Sequence, residues 1–380
     1  MHVGLDGLPL TWALTGVGHY TLELSRALAV MAPADEFEFV TYRPLTDVAV
    51  REIEVHCPPN LFATRARRYQ KWWAIGLPGY VRKARLDLFH GTNYEVPLWN
   101  KRRNVLTIHD LSILFHPDKH KRDFAGRARR RLPVMIRSAS AIIAPTEQVK
   151  KEICENLTVD PNYVFVTPEA PRAAFRRLPD PETLEAKRRL GIEDDFILFA
   201  GTIEPRKNLL TLLSAFDEIL RKTSYRPQLV IAGGEGWLTR EWSSFISKSN
   251  LGDRLRLTGY LTDEDLCALY SSCRVFVYPS VYEGFGLPPL EAMACGAPVI
   301  ASDISVFHET LGDAACFFDA NDAKALAQSI VNTFEDEPRR HQYAAAGQAR
   351  ARRFSWETTA RLTLEVYHRL LDHNRKSRGK

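Results

Sequence analysis

The sequence predicts an α/β protein with two domains in series, each built on a parallel β-sheet that helices cover on both faces. At 380 residues the chain is longer than one hydrophobic core usually accommodates. Short apolar segments alternate with amphipathic helical segments in both halves, the pattern of parallel sheets. This alternation breaks down over residues 169–182, a proline-containing stretch that we interpret as the linker between the domains.

In the first half of the chain, strand and helix segments alternate less regularly. HVGLDG reads as a strand at the start, and GHYTLELSRALAVM has the apolar spacing of a helix. The alternation then continues through FEFVTY, LDLFHGTN, NVLTIHD, RRLPVMIRSAS, AIIAPTE and YVFVTPEAP.

The second half gives clearer signals. DPETLEAKRRLG predicts a helix with an acidic first turn, a basic last turn and Gly191 just past its end. Thr262 is the expected N-cap of a helix over TDEDLCALYSSC, with Asp265 three residues later. LPPLEAMACG predicts a short helix opened by proline and closed by Gly296. The predicted strands are FILFAGT, PQLVIAGG, RVFVYPS and PVIAS, and the further helices are NLLTLLSAFDEIL and the tail WETTARLTLEVYHRLLDH.

Composition is that of an ordinary soluble protein, with 45% hydrophobic and 26% charged residues. The start resembles no signal peptide, and no apolar run approaches the ~20 residues that span a bilayer, so we expect a cytoplasmic protein. The six cysteines show no CxxC pair and no metal-ligand spacing to histidine. This pattern favours reduced thiols over a zinc site or a disulfide framework.

Positive charge is concentrated in the first half, although the net charge of the whole chain is only +5. RARRYQKWW, residues 65–73, mixes cations with aromatic residues, and KRDFAGRARRR, residues 121–131, sets six cations against one aspartate. Cations beside exposed aromatic side chains suit an anionic membrane surface or a polyanion. The alternative is a solvated helix face whose aromatic residues are buried in the core.

The segment YEGFGLPPLE combines two glutamates with a glycine loop that leads from a strand into a helix starting near Leu287. Backbone N–H groups and the positive end of the helix would therefore meet at the carboxyl end of the strand, a favourable place for an anion. Gly284 and Gly286 allow close approach of the backbone. Glu291, expected in the first helical turn, could accept hydrogen bonds from ligand hydroxyls. Phosphates and hydroxyls together describe a nucleotide sugar; the alternative is a proline-initiated helix with incidental glutamates.

Three other strand ends carry candidate ligand-binding residues. GTIEPRKNL places Arg206 and Lys207 at a helix entry, where two cations could neutralise a diphosphate or simply occupy a solvated turn. TGVGHY places Gly16 and Gly18 before a helix, although a GxG without a third glycine is a weak dinucleotide signal. His109, in LTIHD, ends a strand and could reach a ligand, whereas a lone histidine is more often structural.

Taken together, TGVGHY, LTIHD, GTIEPRKNL, VIAGGEGW and EGFGLPPLE resemble the retaining glycosyltransferases of family 4. The Glu-x7-Glu spacing of the last motif is the most specific of these features. This resemblance implies the GT-B fold, in which two Rossmann-like domains have parallel sheets facing across a cleft. It implies an acceptor-binding domain over 1–172, a nucleotide-sugar-binding domain over 173–353, and a final helix over 354–380 that crosses back to the first domain.

The resemblance also implies a role for each candidate residue. Arg206 and Lys207 would bind the donor diphosphate, and Glu291 would bind the ribose. Glu283, Gly284 and the backbone of Phe285, Gly286 and Leu287 would hold the transferred sugar and the phosphates. Gly16 and Gly18 would let the first domain approach the donor, and His109 would lie beside the transferred sugar. The implied catalytic residues are His109, Glu283 and Lys207. Many relatives have arginine where this chain has Thr202, which would place more of the phosphate neutralisation on the two cations.

By the same resemblance, the reaction moves a sugar from a nucleotide diphosphate to an acceptor with retention of configuration. Fixed cations and helix ends could stabilise the leaving group without a metal or other cofactor, and the Asp263-Glu-Asp265 sequence is better explained by helix capping. The EPRKNL form favours GDP-mannose over UDP- or dTDP-sugars, with a lipid-linked or saccharide acceptor in polysaccharide or lipopolysaccharide synthesis. The alternatives are another GT-B-like nucleotide-sugar enzyme such as an epimerase, or a non-catalytic polyanion-binding protein. No nucleic-acid motif accompanies the basic clusters.

Overall fold

The computed structural model describes residues 1–66, 71–98, 103–193, 195–237, 240–249 and 251–378, with the backbone alone for Phe124 and 373–378. These residues form two compact units. The first unit contains residues 1–111, 126–169 and 355–380, and the second contains residues 112–125 and 170–354.

The first unit is organised by a seven-stranded parallel sheet with the order β3-β2-β1-β4-β5-β6-β7. Its strands are β1 (His2–Asp6), β2 (Glu36–Thr41), β3 (Leu61–Arg65), β4 (Leu88–Gly91), β5 (Asn104–Thr107), β6 (Ala141–Ala144) and β7 (Val164–Val166). The helices that this part of the chain forms are α1 (Gly16–Met31), α2 (Asp47–His56), α3 (Leu77–Lys83), α4 (Ser112–Phe115), α5 (Arg122–Ser138) and α6 (Glu147–Leu157). Of these, α4 and the first four residues of α5 group with the second unit. β4, β5 and β6 are buried along their whole length, as expected for a sheet covered on both faces.

The second unit contains a six-stranded parallel sheet with the order β10-β9-β8-β11-β12-β13. Its strands are β8 (Phe196–Ala200), β9 (Gln228–Ala232), β10 (Leu255–Gly259), β11 (Val275–Tyr278), β12 (Val299–Ser302) and β13 (Ala315–Phe318). Its helices are α7 (Asp180–Leu190), α8 (Leu209–Lys222), α9 (Arg240–Lys248), α10 (Asp263–Ser272), α11 (Leu287–Ala294), α12 (Ser305–Leu311), α13 (Ala323–Glu335) and α14 (Glu337–Ala351). This is the doubly wound strand order of Rossmann-type sheets.

Local sequence signals explain several helix ends in the second unit. Gly191 follows α7 in the left-handed conformation, with φ +66°. Thr262 caps α10, accepting a hydrogen bond from the Asp265 amide at 3.2 Å. α11 begins with proline inside its first turn, as the sequence predicts. All six cysteines are free thiols.

The final helix, α15 (Trp356–Arg378), packs within the first unit. Trp356 lies against Tyr20 of α1, with ring centroids 5.9 Å apart, and the Thr359 hydroxyl donates to the Pro168 carbonyl at 2.6 Å. Deeper in the helix, the Tyr367 hydroxyl is 2.7 Å from Nδ1 of the buried His90. Polar contacts to buried groups therefore fix the register of this helix as well as its apolar face.

The observed units differ from the predicted domain ranges at three places, the shortest being Phe354, which groups with the second unit and not with the final helix. Residues 112–125, predicted within the first domain, group with the second unit. The reason is side-chain packing, since His120 stacks on Trp237 and the Trp237 indole donates to the Lys119 carbonyl at 2.8 Å. Residues 170–172 also group with the second unit, where Arg172 is bound by carboxylates of that unit.

The basic, aromatic cluster predicted over 65–73 is only partly described, because Arg67, Arg68 and Tyr69 lie outside the described residues. Within the rest of the cluster, Trp72 is buried, which agrees with the alternative of aromatic residues in the core, and Trp73 is half-buried. Among the helices described, none is both long enough and apolar enough to cross a bilayer.

Candidate functional site

The strand order of the second sheet reverses between β8 and β11, so the loops that follow these two strands lie side by side. In a doubly wound sheet, ligands bind at this position, outside the carboxyl ends of the strands. The loop after β8 includes a short 3₁₀ turn over Pro205–Lys207. The loop after β11 leads into α11 through Gly284 and Gly286. Two of the predicted motifs are thereby brought together.

Glu283 is the centre of the resulting ion-pair network. Its Oε1 accepts hydrogen bonds from the Lys207 ammonium and from the Ser280 hydroxyl, both at 2.6 Å. Its Oε2 accepts one from the Arg206 guanidinium at 2.8 Å. Arg206 also donates to Glu204 at 2.8 Å. Two cations and two carboxylates are therefore held together.

Burial makes these interactions strong. Glu283 and Lys207 are only 7% and 8% exposed. Burial by itself would raise the pKa of Glu283, but the charges of Arg206 and Lys207, with hydrogen bonds from Lys207 and Ser280, lower it to about 2. For Lys207, burial and the nearby Arg206 lower the pKa, and Glu283 and Glu204 oppose them only in part.

The glycine loop turns the chain sharply from β11 into α11. Gly286 has φ +98°, and a Cβ added there would lie 2.8 Å from the Phe307 ring, so only glycine fits. Phe285 is buried and packs edge-on against Phe354 at 5.6 Å, which anchors the loop. Leu287 is half-buried at the first position of the helix. Pro288 and Pro289 carry no N–H, so Leu287 supplies the amide among the first three positions of α11, four residues after Glu283.

Glu291 differs from its predicted position. It is the fifth residue of α11 and lies in the second turn, because the helix begins at Leu287 and its first turn contains two prolines. Its Oε1 accepts a hydrogen bond from the Arg172 guanidinium at 3.0 Å, and both groups are buried. Arg172 also donates to both carboxylate oxygens of Asp263, at 2.9 and 2.7 Å.

Arg172 is the main residue that the sequence interpretation missed. It lies in the irregular stretch taken as a linker, where nothing in the spacing connects it with Glu291 or Asp263. Its guanidinium joins the start of α10 to the middle of α11 and holds the Glu291 carboxylate in one orientation. The sequence could have indicated a partner for Glu291 only in general terms, because a buried glutamate requires a nearby cation.

The Asp-x-Asp sequence is engaged in structural interactions. Asp263 is bound by Arg172, and Asp265 forms an ion pair with Arg189. Both aspartates also lie in the first turn of α10, where carboxylates favour the helix dipole.

His109 lies in the first unit, directly after β5. Its Nδ1 is 3.0 Å from Glu169 Oε1, and its Nε2 is 2.8 Å from the Thr92 carbonyl oxygen. Burial would lower the pKa of His109, but the hydrogen bond and the charge of Glu169 raise it above its ordinary value. Both partners accept hydrogen bonds, which favours an imidazolium that donates from both nitrogens. Glu169, which holds the ring, also lies in the predicted linker and was not identified from the sequence.

The two glycines of TGVGHY begin α1 in the first unit. A Cβ at Gly16 would meet no atom within 4 Å, so internal packing does not require glycine there. A Cβ at Gly18 would approach the Leu14 side chain at 3.0 Å and the Pro9 carbonyl at 3.2 Å. Packing therefore explains why position 18 is glycine, whereas Gly16 leaves open space beside the start of α1.

The segment at 112–125 contributes aromatic contacts to the glycine-loop region that the sequence did not suggest. Phe115 and His116 lie against Tyr282, with ring centroids 5.8 and 5.4 Å apart. Tyr282 directly precedes Glu283, and its carbonyl accepts a hydrogen bond from Arg206 at 2.8 Å. This segment of the second unit thus packs against the residue next to the ion-pair network.

Two doubly wound units, one with buried cations and a glycine loop at the strand ends, are the architecture of GT-B glycosyltransferases. Sucrose-phosphate synthase from Thermosynechococcus elongatus shares this fold with a TM-score of 0.76 at 21% identity, over 98% of this chain and 99% of that chain. HepE from Anabaena, in complex with UDP-glucose, has a TM-score of 0.75 at 17% identity, over 96% and 98% of the two chains.

Sequence comparison gives the family. Residues 181–350 match the glycosyl transferases group 1, and residues 14–170 match Glycosyltransferase Family 4. The O-antigen chain mannosyltransferase B of Escherichia coli is 31% identical over 371 residues, which are 94% of this chain and 97% of that protein. The chain therefore belongs to the family 4 glycosyltransferases, and it is a glycosyltransferase with the GT-B fold. The predicted family, fold class and enzyme class are confirmed.

Proposed function

We propose that this enzyme transfers mannose from GDP-mannose to a lipid-linked or saccharide acceptor during synthesis of the O-antigen part of lipopolysaccharide. The observation that carries this proposal is its similarity, along nearly the whole chain, to an O-antigen chain mannosyltransferase. A nucleotide-sugar donor is supported further by the shared fold of HepE, which binds UDP-glucose in its complex. The choice of GDP among the possible nucleotides is the more specific part of the proposal.

The ion-pair network is the proposed diphosphate site. Arg206 and Lys207 supply two positive charges, and α11 adds the positive end of its dipole with the Leu287 amide; both features favour phosphate oxygens. Glu283 holds the two cations in place and takes part in donor binding. As the bond from sugar to phosphate breaks, negative charge accumulates on the diphosphate, and the preorganised cations stabilise it there.

Retention of configuration is proposed through front-face attack. The acceptor oxygen forms the new bond to the anomeric carbon on the face that the diphosphate leaves, and its proton passes to a departing phosphate oxygen. Both carboxylate oxygens of Glu283 are engaged by cations, and its lowered pKa makes it a poor proton acceptor. These contacts support a role in binding and transition-state stabilisation.

The remaining site residues have proposed binding roles. Glu291, oriented by Arg172, accepts hydrogen bonds from the ribose hydroxyls, and Gly284 with the Phe285 to Leu287 backbone contacts the sugar and phosphates. In the first unit, the His109 imidazolium contacts the transferred sugar, and the open space at Gly16 admits the donor.

We also propose that no metal takes part and that the enzyme works in the cytoplasm, at the inner face of the membrane. Metal independence is supported by the two site cations, which supply the positive charge that a metal otherwise provides. Asp263 and Asp265 are both paired with arginines. Membrane contact is supported by the cations of the first unit, which would be attracted to anionic headgroups.

Thermal unfolding against nucleotide diphosphates and nucleotide sugars tests the donor assignment. A ligand at a hundredfold its dissociation constant should add ~2.7 kcal/mol to the free energy of unfolding. We expect stabilisation by GDP and GDP-mannose and little effect of UDP or dTDP. Stabilisation confined to UDP or dTDP would contradict the GDP assignment, and no shift with any ligand would contradict the diphosphate site.

A further inference from the structure

The first unit contains a cavity that the proposed donor site does not use. Its volume is about 860 Å³, within the range of ~300–1,000 Å³ that is usual for small-molecule sites. Its lining includes Tyr42, Trp72 and Trp73, and further residues from the middle of α5. The lining therefore joins one of the two basic segments predicted from sequence to the aromatic end of the other.

The aromatic part of the lining has unusual backbone geometry. Residues Trp72–Gly76 form a π-helical turn, a rare conformation that is frequent at functional sites. Trp72 is 5% exposed, and its indole N–H has no acceptor among the described residues. That nitrogen is itself inaccessible to solvent, so the cavity is lined by the ring of Trp72 and not by its N–H.

The rest of the lining is amphipathic. Arg130 contributes an exposed cation from α5, and Lys71 contributes another beside the π-helical turn. Arg131 is paired with Glu95, so less of its charge is available. The apolar part comes from Val134 and Met135, one turn further along α5.

We propose that this cavity binds a hydrocarbon chain at the point where it is attached to a phosphate or diphosphate group. Lys71 and Arg130 contact the phosphate oxygens, and the aromatic rings with Val134 and Met135 cover the first carbons of the chain. This inference rests on the proposed function, since it makes the acceptor of that transfer a lipid-linked phosphate.

Titration of the purified protein with farnesyl diphosphate, followed by tryptophan fluorescence, tests the proposal. We expect saturable binding that Lys71→Gln and Arg130→Gln each weaken by about tenfold, as expected for loss of a charge-assisted contact. Both side chains are exposed, so both variants should fold. Arg137→Gln is the matched control, because Arg137 is an exposed cation of the same helix outside the cavity lining; its affinity should equal that of the wild type.

Two further probes distinguish the possible sources of the signal. Farnesol, which lacks the diphosphate, should bind weakly and with equal affinity to Arg130→Gln and to the wild type. Inorganic diphosphate, which lacks the hydrocarbon chain, should compete poorly with farnesyl diphosphate. Equal competition by inorganic diphosphate would overturn the proposal in favour of a simple anion site. Absence of saturable binding, or equal weakening by Arg137→Gln, would also overturn it. These titrations contain no nucleotide-sugar donor. A negative result would therefore reject the lipid-phosphate site without testing mannosyl transfer, which the donor experiments test separately.

Discussion

Lys207→Ala is expected to lower the rate of sugar transfer by about 10²–10³-fold, the usual cost of removing one preorganised donor to a developing negative charge. The Lys207 ammonium is buried and lies 2.6 Å from Glu283 and from the Tyr278 hydroxyl, so it is fixed before the donor arrives. Its loss leaves Arg206 alone to neutralise the leaving diphosphate. Initial rates with a verified donor and acceptor would measure the effect on kcat and KM separately.

The control for this substitution is Lys222→Ala. Lys222 is a surface lysine at the end of α8, with its side chain 65% exposed and paired with Glu218 at 3.0 Å. Its removal should leave the transfer rate unchanged. If Lys207→Ala retained full activity, the diphosphate site would be wrongly assigned.

Glu283→Ala is expected to have the largest effect on stability. It leaves the buried Lys207 and the partly buried Arg206 without the carboxylate that binds both. Removing one partner of a buried ion pair typically costs about 3–5 kcal/mol of unfolding free energy. Urea unfolding would measure this loss. Glu218→Ala removes a surface ion-pair partner and should cost ~0.5 kcal/mol or less; equal losses for the two variants would contradict the account.

The lowered pKa of Glu283 predicts that the free energy of unfolding depends on pH. The pKa of Glu283 falls from an ordinary 4.5 to about 2 in the folded protein. The ionised carboxylate therefore stabilises the fold fully above pH 4.5, and this contribution is lost as the pH falls from 4.5 towards 2. A shift of this size corresponds to about 3 kcal/mol. Stability curves over this range should fall less steeply for Glu283→Ala than for the wild type, and parallel curves would contradict the assignment.

The strand-loop-helix junctions could be predicted from the sequence because their signals are local. Gly286 and the prolines after it mark the start of α11, and Thr262 marks the start of α10. The apolar strands between them predict the parallel sheet, and the sheet in turn brings Lys207 and Glu283 together at the strand ends. Periodicity and caps therefore located the centre of the candidate site.

The parts that were missed depend on contacts between residues far apart in the chain. Arg172 and Glu169 lie in a stretch without periodicity, and their partners are known only once the sheets are assembled. Residues 112–125 were assigned to the wrong unit because Trp237, which holds them, is more than 100 residues away. Glu291 was placed in the first turn of α11, but the helix begins at the predicted Leu287, so Glu291 is its fifth residue and lies in the second turn.

The most direct measurement is the product formed when the purified enzyme is incubated with GDP-mannose and a lipid-linked saccharide acceptor. Mass spectrometry should show addition of one hexose to the acceptor, and NMR should show that the anomeric configuration of the donor is retained. Consumption of GDP-mannose without any change in the acceptor would contradict glycosyl transfer. Transfer from a UDP-sugar alone would contradict the mannosyltransferase assignment, and an inverted product would contradict front-face attack.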